Sequence, residues 1–261
     1  MNFQNLPVWH SILSAYRKTY QSMKTMNARI LCLVLCLTGF ACKDDDVFKE
    51  VTPVPEDIFQ VELCPTLLSN VTSLFPESKN NEERHSTLFA NGSQQRIVLT
   101  KDTDVYVTYV NEAANIGNVL GYYVYQSGSV PGSSDDVDKQ LIFPNVDNTY
   151  LSPGDTRRLG SAPLKSGTVI GFFLIVGGYR GDGVYFKRPT FYTDTNWNTD
   201  GAKQHVLYRE GECGALVIGF EDKKSADADK DFNDIIFTVS DNVDDQETTS
   251  FDVQNVATLS K

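Results

Sequence analysis

The chain has 261 residues, 23 basic and 34 acidic side chains and a formal charge of −11, with 41% hydrophobic residues. That length suits one domain of ordinary size plus appendages. The acidic balance disfavours nucleic acid and anionic lipid as partners, because both repel it, and it favours cations.

The charges are unevenly placed. Every acidic residue lies after Cys42, and Arg17, Lys18, Lys24 and Arg29 are the only charges before it. Behind Arg29 runs Ile30-Leu31-Cys32-Leu33-Val34-Leu35-Cys36-Leu37, then Thr38-Gly39-Phe40-Ala41-Cys42. A basic segment, an apolar core and small residues, in that order, make a secretory signal. The core of about 12 residues is too short for a bilayer span of roughly 20. The small residues before Cys42 resemble a lipobox, so residues 1–41 are expected to be a signal peptide and Cys42 to be acylated. A plain signal peptide cut at Ala41 would instead leave Cys42 a free thiol. Against that alternative stands Lys43-Asp44-Asp45-Asp46, which resembles the Lys-plus-acid export tag of Bacteroidota surface lipoproteins. The expected location is therefore the outer membrane, lipid-anchored and facing outward. A start at Met23 gives a basic segment of ordinary length, and residues 1–20 then read as an overextended gene start.

After Cys42, 219 residues carry 19 basic and 34 acidic side chains, a charge of −15. Residues 43–57, charged, Pro-containing and aperiodic, read as a tether from the lipidated Cys42. Residues 58–95 form an N-terminal segment. Leu63, Leu67, Leu68 and Val71 recur at near-helical spacing and predict a short helix over Ile58–Leu74, with Pro65 in its first turn. Phe75 to Asn81 reads as a loop. Cys64 and Cys213 are the two cysteines outside the leader and anchor; they pair only if the fold brings their Cβ atoms within bonding distance, which sequence does not decide.

From Arg96 the texture changes to short Val, Ile, Tyr, Phe and Thr runs split by Gly, Asn, Asp and Pro. Strands are predicted over 96–100, 105–110, 120–126, 140–143, 169–176, 185–186, 191–193, 205–209, 215–220 and 235–240. Val105, Val107 and Tyr109 alternate onto one face. Val169–Val176 is continuously apolar and predicts a central strand buried on both faces. Some ten strands with no convincing helix between them give an all-β fold, an antiparallel two-sheet β-sandwich of jelly-roll-like type spanning residues 96–245. Residues 246–261 form a polar tail, frayed or an edge strand.

The strongest chemical feature is Glu221–Asp234, where six carboxylates and one amide face three lysines in 14 residues. Such density needs a cation or full solvation. Asp227, Asp229, Asp231 and Asn233 alternate, so a curled loop can aim several hard oxygens at one Ca²⁺, which takes 6–8 of them. The segment is no EF-hand: counting from Asp227, the sixth residue is Phe232 and the twelfth is Thr238. A solvated hairpin loop stabilised by Asx-turns is equally compatible with the spacing.

Gly219-Phe220-Glu221-Asp222 followed by Asp229-Lys230-Asp231-Phe232-Asn233-Asp234-Ile235-Ile236-Phe237 resembles the hallmark of the domain of unknown function 4114 family and of LruC-type domains. Val107–Ala114, Asn118–Tyr125, Ile142–Asn145 and Gly167–Leu174 are similar to the same pattern in the same order, so the likeness covers about residues 98–240. It implies a calcium-binding β-sandwich, secreted or surface-anchored, with no assigned reaction. It maps the ion onto Glu221, Asp222, Asp229, Asp231, Asn233 and Asp234, with Asp227, Glu112 and Asn118 as weaker candidates.

Enzymatic signatures are missing: no Gly-x-Ser-x-Gly, His-Glu-x-x-His, Walker or dinucleotide motif occurs. The mature chain has two histidines, His85 and His205; His205, between apolar neighbours, suits a strand-edge hydrogen bond better than a base. Trp197 with Tyr192 and Asn196–Asn198 is either a core aromatic group or a sugar-stacking platform. The reading that results is a non-catalytic surface module for adhesion, envelope structure or binding of a glycan or surface protein. The alternative is a glycan-binding or glycan-degrading accessory of a sugar-utilisation system.

Overall fold

Alternation and continuous apolar runs sort the strands as expected. A computed structural model describes residues 48–261 except 91–92, 115, 225 and 245–247; the signal peptide, Cys42 and the Lys43–Asp46 tag lie outside the described residues. Fifteen strands occur among the described residues: β1 (Phe48–Glu50), β2 (Phe59–Gln60), β3 (Ile97–Leu99), β4 (Tyr106–Asn111), β5 (Asn118–Gln126), β6 (Lys139–Val146), β7 (Asp155–Arg158), β8 (Thr168–Ile175), β9 (Gly183–Tyr185), β10 (Thr190–Tyr192), β11 (His205–Glu210), β12 (Leu216–Phe220), β13 (Ile235–Ser240), β14 (Phe251–Asp252) and β15 (Thr258–Leu259).

They form an all-β sandwich. One sheet runs β14-β3-β8-β5-β6, with β10 also on β8; the other runs β15-β11-β12-β13-β4-β7-β2; β1 and β9 make a separate pair. Pairing is antiparallel apart from β11 with β15. β8 sits between β3 and β5 and is buried along its whole length, as its unbroken apolar sequence requires. Val105, Val107 and Tyr109 join Leu120, Phe172, Ile218 and Phe237 in the core between the sheets. Each sheet's outer face is covered too. Val119, Tyr123, Tyr125, Phe173 and Tyr192 lie under one layer, and Val110, Val206, Tyr208, Val217 and Ile236 under the other.

The second layer is helical. α1 spans Leu67–Leu74 rather than Ile58–Leu74, and is followed by the single turns α2 (Asn81–Arg84) and α3 (Ser86–Phe89). Pro65 explains the shorter helix: it lacks an N–H and pushes the preceding residue out of helical conformation. Phe59–Gln60 is consequently extended and pairs with β7. Leu67, Val71 and Leu74 occupy one face of α1 and pack on the β11–β13 surface. A disulfide joins Cys64 to Cys213, with a Cα–Cα distance of 5.9 Å, fastening the approach to α1 onto the β11–β12 turn. The polar tail supplies edge strands to both sheets, β14 beside β3 and β15 beside β11.

Candidate metal centre

β12 and β13 pair Phe220 with Ile235 and Gly219 with Ile236, so the acidic segment is the loop of one hairpin. Strand pairing brings the two ends of that loop together. The Asp222 N–H donates to Asp234 Oδ2 at 2.7 Å, and one carboxylate oxygen each from Glu221, Asp222 and Asp234 lie within 4.8 Å of one another. Oxygens no farther apart than that can share one hard cation such as Ca²⁺, whose ligand oxygens lie about 2.3–2.6 Å from it.

The rest of the loop curls by an unusual route. Lys230 and Phe232 have φ of 61° and 56°, left-handed values that side chains rarely adopt. Asp229 and Asp231 fall in a carboxylate group separate from that of Asp234, though near enough for Asp231 to repel it. Phe232 buries its ring against Phe89, centroids 4.9 Å apart, and its carbonyl crosses so close over Gly219 that an added Cβ would lie 2.3 Å from the oxygen. Glycine is required there by space. Asp231 accepts the Ser78 N–H at 2.8 Å, and with Asp229 and Glu77 makes a second group of carboxylates within 4.8 Å. Asn233 donates to the Phe75 carbonyl at 3.1 Å and Asn81 to the Asp231 carbonyl at 2.8 Å.

The first group is only partly relieved: exposed Lys223 attracts its carboxyls from a distance, the Lys223 N–H donates to Glu221 and the Asn118 amide donates to Asp222. Glu221, Asp222 and Asp234 are 0%, 5% and 7% exposed. Among the described residues no lysine or arginine forms an ion pair with any of the three; Lys223 reaches Asp229 at 3.9 Å and Lys230 pairs with Glu82. Burial, then repulsion from Asp231 and Asp229, pushes Glu221 up to about 7. Burial, then Asp222 and Glu221, pushes Asp234 up to about 9. Asp222 and Asp231 are raised chiefly by burial as well. Among the described residues Glu221 Oε2, Asn233 Oδ1, Asn81 Oδ1 and Asn145 Oδ1 are buried side-chain oxygens without a donor; of these only Glu221 belongs to the first group. Crowded buried carboxyls can be relieved either by retained protons, the direction in which these groups are pushed, or by a hard cation bound between them.

The predicted ligands divide accordingly. Glu221, Asp222 and Asp234 converge; Asp229 and Asp231 belong to the neighbouring group with Glu77; Asn233 lies between Asp231 and Phe75. Asn118 touches the first group, its amide donating to Asp222 Oδ2 at 3.0 Å while its Oδ1 accepts the Gly177 N–H. Asp227 is exposed in a turn on Lys224, outside both groups. Glu112 is engaged by Asn148 and belongs to neither. Glu77, Ser78 and Asn81 escaped sequence reading because they come from a segment with no motif of its own.

Elsewhere, Trp197 lies 4.9 Å from the Tyr123 ring and 5.7 Å from that of Tyr192, within an aromatic cluster under β5 and β8. Asn198 is spent on the Tyr192 backbone and the Ala202 carbonyl. Trp197 is partly buried and packs against the edge of that cluster. His205 is fully buried, its Nε2 facing the Gln95 carbonyl at 3.2 Å, and burial pulls its pKa down to about 3. It stays neutral and does not titrate near neutrality.

Residues 164–242, which contain β8 to β13 and the acidic loop, match the model of the family described as a domain of unknown function (DUF4114). The likeness drawn from Gly219–Asp222 and Asp229–Phe237 falls inside that match. Comparison with curated proteins and with solved structures finds no match.

Proposed function

Taking residues 164–242 as a domain of unknown function 4114 module, we propose that the chain is a non-catalytic, calcium-stabilised cell-surface module, lipid-anchored through Cys42 to the outer membrane and used for adhesion, envelope structure or ligand capture. The observation that carries the calcium reading is the convergence of Glu221, Asp222 and Asp234, buried and in no ion pair among the described residues. Bound Ca²⁺ supplies positive charge to these oxygens and fixes the loop that sets β12 against β13. The second group, with Asp231 held by Ser78, ties the helical layer to the same loop.

A non-catalytic role is favoured by the chemistry available: His205 is sequestered, and the converged carboxylates serve as ligands rather than as a solvent-facing acid and base pair. Saturating CaCl₂ at ~100 times Kd stabilises by about 2.7 kcal/mol, a rise in Tm of roughly 5–10 °C for a domain of this size. Calorimetry in CaCl₂ against EDTA reads it, and identical traces would remove the ion site. For the anchor, Cys42→Ala should abolish fatty-acid labelling and release the protein from the membrane fraction; a Cys42→Ala protein still labelled and sedimenting would refute acylation there.

A further inference from the structure

Glu221 also borders a cavity of about 280 Å³ walled by Glu82, Phe89, Lys203, Gln204, Lys230 and Phe232, the Glu82 carboxylate being taken up by Lys230. The volume is near the lower end of small-ligand pockets, roughly 300–1,000 Å³. Three polar groups on its wall are left incomplete by the fold. Gln204 is 1% exposed and its Nε2 has no acceptor; Glu221 is 0% exposed and its Oε2 has no donor. The Lys203 ammonium donates to the Leu88 carbonyl and to Ser93 Oγ, but no carboxylate pairs with it among the described residues. An ammonium has three donors; two are used, the Nζ also lies 5.4 Å over the Phe89 ring, and one donor is left for a further acceptor. Lys230, by contrast, is already paired with Glu82. The Phe89 and Phe232 rings supply an apolar wall.

We infer that this cavity binds a small hydroxylated carboxylate, of the sugar-acid class and about one monosaccharide in size, beside the cation held by Glu221, Asp222 and Asp234. The ligand carboxylate pairs with Lys203, giving the half-buried ammonium the counter-charge the protein withholds. One ligand oxygen accepts from Gln204 Nε2, and a hydroxyl donates to Glu221 Oε2. The ring face lies on the phenylalanines. A neutral sugar would leave Lys203 uncompensated, and a bare small acid would leave Gln204 and Glu221 unmet. The inference rests on the calcium reading: a cation held by Glu221, Asp222 and Asp234 adds positive charge beside the pocket and offsets the Glu221 carboxylate that borders it, so cation and anion bind cooperatively.

The test is calorimetric titration of the purified full chain with D-galacturonate, D-galactose and acetate, in CaCl₂ and in EDTA, after calcium itself has been titrated. Galacturonate should bind in calcium at least ten times more tightly than galactose or acetate, and at least ten times more weakly in EDTA. Lys203→Met should abolish this while leaving the calcium-induced shift in Tm intact. Because Lys203 also caps Leu88, Gln204→Met is the second variant: it removes only an unpaired amide, so the melting temperature should hold and galacturonate affinity should fall tenfold. Absence of a calcium response sinks the ion reading itself. A calcium response with no galacturonate binding, equal binding of galactose, affinity unchanged by EDTA, or unaltered binding by both variants overturns the pocket.

Discussion

Replacing Asp234 by Asn should stabilise the calcium-free domain and destroy its response to calcium, an opposition that few other causes produce. Asp234 is 7% exposed, and burial beside Asp222 and Glu221 pushes its pKa up to about 9, far above the ordinary carboxylate range. A carboxyl whose folded pKa is raised costs nothing below the unfolded value. The cost grows as pH rises and levels off above the folded value. At pH 7 the unfolded chain ionises Asp234 freely while the folded domain keeps the proton. Roughly three pH units at ~1.4 kcal/mol each make that about 4 kcal/mol. Asparagine has the shape of the protonated acid: its oxygen can still accept the Asp222 N–H, and its NH₂ can donate to the crowded carboxylates.

In EDTA at pH 7, Asp234→Asn should therefore melt roughly 8–16 °C above the parent. The gap should close as pH falls from 7 toward 4. In CaCl₂ the parent should recover most of the difference and the variant should gain nothing. Scanning calorimetry over pH 4–9 with and without calcium supplies the four curves. A variant less stable than the parent in EDTA, or one retaining the parent's calcium shift, refutes the claim that buried, only partly compensated charge is what the cation relieves.

Other perturbations isolate other parts of the fold. The Cys64–Cys213 bond spans 149 residues of sequence, a chain-entropy contribution of about 5 kcal/mol; the Cys64→Ser/Cys213→Ser double variant should show a much lower guanidinium midpoint, and a loss under ~1 kcal/mol would contradict the closure argument. Gly219→Ala drives a Cβ into the Phe232 carbonyl and should cost more than ~2 kcal/mol and abolish the calcium shift, whereas Gly128→Ala, with open space around it, should be neutral by the same urea titration. Asp194 accepts from Tyr123 Oη at 2.7 Å and Tyr125 Oη at 3.2 Å and pairs with Arg96 at 3.1 Å. Asp194→Ala should cost about 2–3 kcal/mol without changing the calcium shift; a weakened calcium response would show that the two regions are coupled.

Where the strands obey a hydrophobic pattern, sequence was enough. β8 reads as buried from Val169 to Ile175, and β4 declares its inner face through Val107 and Tyr109. β7 was illegible because Asp155-Thr156-Arg157-Arg158 has no apolar residue. Its place is set by pairing with β4, by the buried Thr108–Thr156 hydroxyl bond at 2.8 Å, and by Arg157 and Arg158 reaching Asp57 and Asp104. β2, β14 and β15 are two residues each and exist through their neighbours rather than through propensity. At the site, carboxylate density announced the loop, but the alternation of Asp227, Asp229, Asp231 and Asn233 suggested one common face. The chain turns left-handed at Lys230 and Phe232, neither of them glycine, and that face is not formed: Asp229 and Asp231 fall in the group with Glu77, and Asp227 lies outside both groups. Nothing in residue type marks such turns. Lys203 and Gln204 were invisible for a different reason, since an unpaired buried amide is a property of the packed environment and not of the residue.

The same packing explains why a loop so poor in apolar residues can hold a fixed shape. Five contacts dock it on the segment after α1: Ser78 and Asn81 donate to Asp231, Asn233 donates to Phe75, Asn81 N–H donates to the Lys230 carbonyl, and Lys230 pairs with Glu82. At the other end of α1 the Cys64–Cys213 bond holds the approach to the helix against the β11–β12 turn. The helical layer is thus fastened to the sheet at both ends, by a covalent bond on one side and by the acidic loop on the other. Only the second fastening carries incompletely relieved charge. A cation there would stabilise more than its own ligands, because straightening the loop would break the contacts of residues 75–82 along with it. That linkage gives a physical reason for burying Glu221, Asp222, Asp231 and Asp234 at the base of the hairpin while its tip, with Asp227, stays exposed to solvent that neutralises repulsion at no structural cost.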